Sequence, residues 1–124
     1  MRGADMKESN VVVDKSKAFA LRIIKLYQLL KPNEKVMSTQ LLRSGTSIGA
    51  NVKEAIRGQT RADFYAKMHI ALKEASETEY WLELLHESGY IKTEEGFQSI
   101  YSDCQELIAI LMAITKSNTN QIKN

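Results

Sequence analysis

The sequence predicts an all-α chain folded as an antiparallel up-down-up-down four-helix bundle, and three observations carry that reading. Four segments of about 17 to 27 residues each gather apolar side chains on one side when residues are placed every 100°. Helix-stopping residues, Pro32, Gly58 and Gly89, stand between them. No stretch sustains the alternation of a strand, and the three valines at 11–13 are too few to build a sheet alone. With 124 residues, 44% hydrophobic and 26% charged, the chain is long enough for one domain around one core.

Residues 1–13 are polar and then β-branched, without helical period, and read as a flexible tail. Asp14 is placed as the N-cap of a first helix over 15–31, whose inner stripe is Phe19, Ile23, Leu26, Tyr27 and Leu30. Pro32 ends it, leaving Asn33 to cap a second helix over 34–57 with Leu41, Ile48, Val52, Ala55 and Ile56 inside. Gly58 stops that helix, and Thr60 caps a third over 61–88, with Asp63 complementing the exposed N–H groups of its first turn. Phe64, Met68, Ala71, Leu72, Ala75 and Leu82 form its stripe, and Gly89 ends it. Thr93 caps a fourth helix over 94–117, with Glu94 and Glu95 in its first turn and Phe97, Ile100, Tyr101, Cys104, Ile108 and Leu111 facing inward. Residues 118–124 are a polar tail. Links this short return each helix antiparallel to the one before it.

Several functional classes fit the residues poorly. The longest apolar run, 107–114, is far short of a membrane span, and the N-terminus carries no apolar signal segment. A lone Cys104 forms no intrachain disulfide, which favours a reducing compartment, so a cytoplasmic, membrane-free location is expected. Di-metal sites in bundles need two Glu-x-x-His pairs; Glu83 and His86 make one, while His69 follows Ala66 where the second glutamate belongs. Ser44, Ser47 and Cys104 lack a nucleophile motif, and the glycines at 45 and 49 lack both the Lys-Ser/Thr ending and the preceding strand of a phosphate loop. The expectation is a non-enzymatic protein with no catalytic residue, metal, cofactor or small-molecule substrate.

The net charge of +2 is unevenly spread: residues 1–73 hold 14 Lys/Arg against 6 Asp/Glu, and residues 74–124 hold 3 against 9. Either the first half steers an anionic partner, or oppositely charged helices and subunits complement one another. The second helix carries the most informative segment. Gly45 and Gly49 each cost about 1 kcal/mol relative to alanine inside a helix, which calls for close approach of a neighbouring helix or a second subunit. Arg43, Ser47, Asn51 and Glu54 form a polar ladder beside them, either surface solvation or an intersubunit hydrogen-bond network. Outside the inner stripes lie Leu21 and Ile24 on the first helix and Ile70, Trp81 and Leu84 on the third, with Glu77 among them. Second apolar lines of this kind mark an interface. Glu79 falls within the core-facing stripe and needs a partner; Arg43 is a candidate for Glu77 or Glu79.

The opening Val13-Asp14-Lys15-Ser16, the segment from Gln40 to Ala55 centred on Arg43-Ser44-Gly45-Thr46-Ser47-Ile48-Gly49-Ala50-Asn51, and the run from Ala71 to Leu82 resemble a bacterial four-helix bundle family. Its members include proteins encoded in intervening sequences of large-subunit ribosomal RNA genes and accessory proteins of diversity-generating retroelements. The resemblance extends from about Val11 to Lys116. It implies a protomer that assembles into a ring-like homopentamer, and it brings no catalytic residues. The retroelement members bind reverse transcriptase and nucleic acid through a basic surface, from which this chain departs in being only mildly basic.

Together these readings point to a homo-oligomer that binds RNA or a nucleic-acid-processing protein through Arg22, Lys25, Lys53, Arg57, Arg61 and Lys67, touching phosphates with little sequence preference. Arg43, Gly45, Ser47, Gly49, Asn51, Glu54, Glu77 and Trp81 are the candidate interface or polar network. The alternative is a structural scaffold or protein-binding module with no nucleic-acid role.

Overall fold

The computed structural model describes the backbone of residues 3–123 and the side chains of residues 10–117, and its regular secondary structure is entirely helical. The helices are α1 (Gly3–Leu30), α2 (Val36–Ile56), α3 (Arg61–Glu87) and α4 (Glu94–Lys123). Each packs against its sequence neighbours and α4 closes onto α1, while the backbones of the diagonal pairs α1/α3 and α2/α4 come nowhere within 8 Å, Cα to Cα, among the described residues. Neighbours run antiparallel, as the cross-contacts show. Thr78 meets Ser44 and Lys67 meets Glu54 between α2 and α3; Cys104 meets Ala75 and Glu94 meets His86 between α3 and α4.

Helix α1 begins a full three turns before the expected start, so the segment expected as a tail is helical from Gly3 and Asp14 lies exposed within the helix rather than capping it. The cause is Val12. It continues the core stripe Ser16, Phe19, Ile23, Leu30 by one turn and is completely buried, so packing overrides the small helix penalty of a β-branched run. Helix α4 likewise continues to Lys123, through most of the expected polar tail. Residues 1, 2 and 124 of those expected tails lie outside the described residues.

The stops and caps divide. Thr60 accepts from the Asp63 N–H at 3.0 Å, Thr93 accepts from the Gly96 N–H at 3.1 Å, and Gly89 takes φ +90°, the left-handed conformation expected of a helix-ending glycine. Asn33 does not cap α2. Its N–H closes the turn onto Leu30, and the carboxylate of Glu34 accepts from the Met37 N–H at 2.7 Å instead.

The core is drawn from all four helices, with Phe19, Ile23, Leu41, Ile48, Met68, Leu82, Leu85, Leu107 and Leu111 fully buried. On α4, Leu107 and Ile114 face inward where Ile108 was expected, and on α2 Ile56 is 42% exposed at the helix end. Five hydroxyls, those of Ser16, Ser38, Ser44, Thr78 and Thr115, also lie in this interior. Ser38 and Thr115 donate to carbonyls one turn back, which removes the cost of burying them.

Candidate interaction surfaces

The glycine pair of α2 is spent inside the protomer. A Cβ on Gly45 would lie 2.8 Å from the Ile23 side chain of α1, and one on Gly49 would lie 3.3 Å from Ser16 Oγ and 3.5 Å from its backbone. Of the two alternatives raised by the sequence, the neighbouring helix is the one observed, so these glycines set the α1–α2 separation. Beneath them, Thr78 Oγ1 donates to Ser44 Oγ at 2.9 Å in a buried bond that ties α2 to α3.

The polar ladder is also engaged within the chain. Ser47 Oγ donates to the Arg43 carbonyl at 2.6 Å, and Asn51 Nδ2 donates to the Ser47 carbonyl at 2.8 Å, both along their own helix. Glu54 pairs across to Lys67 of α3 at 3.2 Å. The guanidinium of Arg43 reaches Gln40, then Glu74 at 2.9 Å and Glu77 on α3, and Glu77 in turn accepts from the Trp81 indole N–H at 3.0 Å. Arg43 therefore chooses Glu77 over Glu79, and it takes in Glu74, which the sequence reading missed. Glu74 lies one helical turn before Thr78 on the side of α3 facing α2; its i,i+3 relation to Glu77 was the available signal.

What remains outward is apolar. On α1, Leu21 is 54% exposed and Ile24 37%; on α3, Ile70 is 41% and Tyr80 55% exposed, with Trp81 and Leu84 half-buried alongside. Because α1 and α3 occupy diagonal corners of the bundle, these are two separate lines on helices that are not neighbours.

The six cations proposed for phosphate contact fall into two groups. Lys53, Arg57, Arg61 and Lys67 gather at the end where α2 passes into α3. There Lys53 and Arg57 line both grooves flanking Ala50, one shared with Lys17 of α1 and the other with Lys67 of α3. Lys67 carries its pair with Glu54, and the Arg61 guanidinium sits over the Tyr65 ring at 5.7 Å. Arg22 and Lys25 lie towards the opposite end. Arg22 is held by Asp103 at 2.6 Å and by Ser99 at 3.0 Å, so its charge is already partnered. Lys17 was not named from sequence, because its neighbour in space, Lys53, is 36 positions away in the chain.

The groups considered for chemistry are occupied with packing. Cys104 donates weakly to the Ala75 carbonyl at 3.4 Å, and burial, reinforced by the charge of Glu79, pushes its thiol up to about 12. His86 stacks on Phe97 with ring centroids 3.8 Å apart, and its Nε2 lies 2.8 Å from Glu94. Bonds from Gln98 and His86 hold the Glu94 carboxyl below its ordinary range. Tyr101 stacks on the other side of Phe97 and donates to Glu83, whose carboxylate raises the phenol well above its usual value. Among the described residues, no three His, Cys, Asp or Glu side chains converge to hold a metal ion, and no helix is long and apolar enough to cross a membrane.

Residues 8–113 match the family model described as 23S rRNA-intervening sequence protein. Among solved structures the chain is similar to a protein of unknown function from the S23 ribosomal protein family of Bacteroides thetaiotaomicron VPI-5482. The two share 56% sequence identity and a TM-score of 0.84, over 88% of this chain and 98% of that one. A comparison with curated proteins gives no match.

Proposed function

This chain belongs to the 23S rRNA-intervening sequence protein family, and from that premise we propose that it is a non-enzymatic, ring-forming bundle, a homopentamer, that binds RNA through a basic end. The observation that carries the assembly is the pair of exposed apolar lines on two non-neighbouring helices of the protomer. A two-fold dimer reuses one patch on both copies, whereas a closed ring joins two different patches of the same protomer. Leu21 and Ile24 on α1, with Ile70, Tyr80 and Trp81 on α3, supply such a pair. The brace from Arg43 through Glu77 to the Trp81 indole holds one of them rigid, which lowers the entropy lost on association. The ring predicts that Leu21→Glu alone and Ile70→Glu alone each reduce the solution mass to that of the protomer. An isologous dimer would respond to only one of them.

The RNA reading rests on Lys17, Lys53, Arg57 and Lys67 bordering two shallow grooves that meet at Ala50, an exposed small residue over which a backbone can pass. Glu54 and Asp63 also border one groove and trim its charge, which favours modest affinity. Fluorescence anisotropy with a labelled fragment of ribosomal RNA tests this. About three to four phosphate contacts per protomer give a log–log salt slope of roughly −2 to −3, and Lys53→Glu with Arg57→Glu abolishes binding. Absence of binding at low salt, or indifference to both substitutions, leaves the scaffold reading in its place. That second reading is favoured by the apolar lines alone.

A further inference from the structure

A cleft of ≈ 950 Å³ opens at the end of the bundle opposite the proposed RNA grooves, between the last turns of α1 and the link leading from α3 into α4. Of the four neighbouring pairs, α1 and α4, which both border it, make the least extensive contact. The floor is apolar, with Leu26, Leu30, Ile91 and Ile100 in its lining. Leu29, 75% exposed, stands on the lip as one of the two most exposed large apolar side chains among the described residues. The rim carries Arg22, Lys25 and Lys92, and no Asp or Glu lines the cleft. Arg22 is already bound to Asp103, but among the described residues neither Lys25 nor Lys92 holds a carboxylate.

We infer that this cleft is a docking groove for an acidic amphipathic helix of a partner protein. An oily floor with two cations that hold no carboxylate, and no acid in the lining, matches apolar anchors at i, i+4 and i+7 flanked by Asp or Glu. The cleft is wide and its leucine lip faces water, so a small amphipathic anion would leave much of its own surface wet. A helix laid across it would cover Leu29. Charge complementarity selects the sign of the partner, and burial of the lip supplies affinity. This inference does not depend on the RNA reading, which concerns the other end of the molecule.

The test titrates the full chain into a fluorescent synthetic helix with leucines at that spacing and glutamates on its flanks. A version with lysines replacing the glutamates, and free decanoate, serve as competitors. The acidic helix binds, the lysine version binds at least about tenfold more weakly, and decanoate does not displace it. Lys25→Glu with Lys92→Glu reverses that preference, and Leu29→Ser weakens binding about tenfold, each with an unchanged circular-dichroism melt because all three side chains are exposed. Equal binding of both helices, displacement by decanoate, indifference to the Lys25 and Lys92 substitutions, or a Leu29-dependent self-association with no helix binding would each overturn the inference. Loss of RNA affinity in the double variant with helix binding intact would overturn it too.

Discussion

Helices α2 and α3 pack against each other more closely than any other pair, yet their outer sides are opposites. Along α2 the small and polar residues are satisfied within the protomer. Gly45 receives Ile23, Ser47 and Asn51 bond to their own helix, and Glu54 takes Lys67. Along α3 the outer line of Ile70 and Tyr80, with half-buried Trp81 alongside, stays at the surface. The glycines of α2 thus have a reason inside one chain, because close packing inside a chain and close packing between chains require the same small side chains. Bare apolar area on a helix whose inner stripe is already complete is the better marker.

Substitutions on each side sharpen this contrast. The widest margin is kinetic: with its thiol pushed up to about 12, Cys104 should react with a disulfide reagent at pH 8 about 10³-fold more slowly in the native chain than in urea. The raised value also fixes a sign. The stabilisation from keeping this thiol neutral is complete below the ordinary thiol pKa and declines as pH rises from there towards about 12, so its contribution to the urea midpoint should be lost on the alkaline side. Rapid native labelling would show that α4 does not hold Cys104 inside.

Next in size is Gly45→Leu, which drives a side chain into Ile23 and should cost about 2–3 kcal/mol by chemical denaturation, whatever the protein concentration. Were the glycine instead an intersubunit contact, the loss would vanish on dilution of the wild type. Thr78→Val removes the buried bond to Ser44 at nearly constant volume and should cost about 1–2 kcal/mol. Smallest are Ser47→Ala and Asn51→Ala, whose side chains serve only their own helix backbone. Each should stay within about 0.5 kcal/mol of the parent and leave the solution mass unchanged.

Helix number, order and most stops were legible because they depend on local chemistry: Thr60, Thr93 and Gly89 act within four residues of their own positions. The start of α1 was not. Three valines score as poor helix formers until the partner that buries Val12 is known, and that partner is distant in sequence. Asn33 has the better side chain for a cap, but its N–H closes the turn onto Leu30 and the longer Glu34 carboxylate takes the Met37 N–H. Buried Thr78 looks polar in a periodicity count, so the core stripe of α3 was drawn through Leu72 and Glu79, which are only half-buried. The surfaces were legible as types of residue but not as places. Six cations chosen on charge alone proved to sit at two ends of the bundle, and Lys17 joined one group only through the fold.

Sedimentation velocity on the wild-type chain tests the central claim, that two outward apolar lines on opposite corners join copies of the protomer. A species near five times the 14.0 kDa chain mass, persisting into the low micromolar range, is the result this account predicts. A single protomer-mass boundary at high concentration would contradict it.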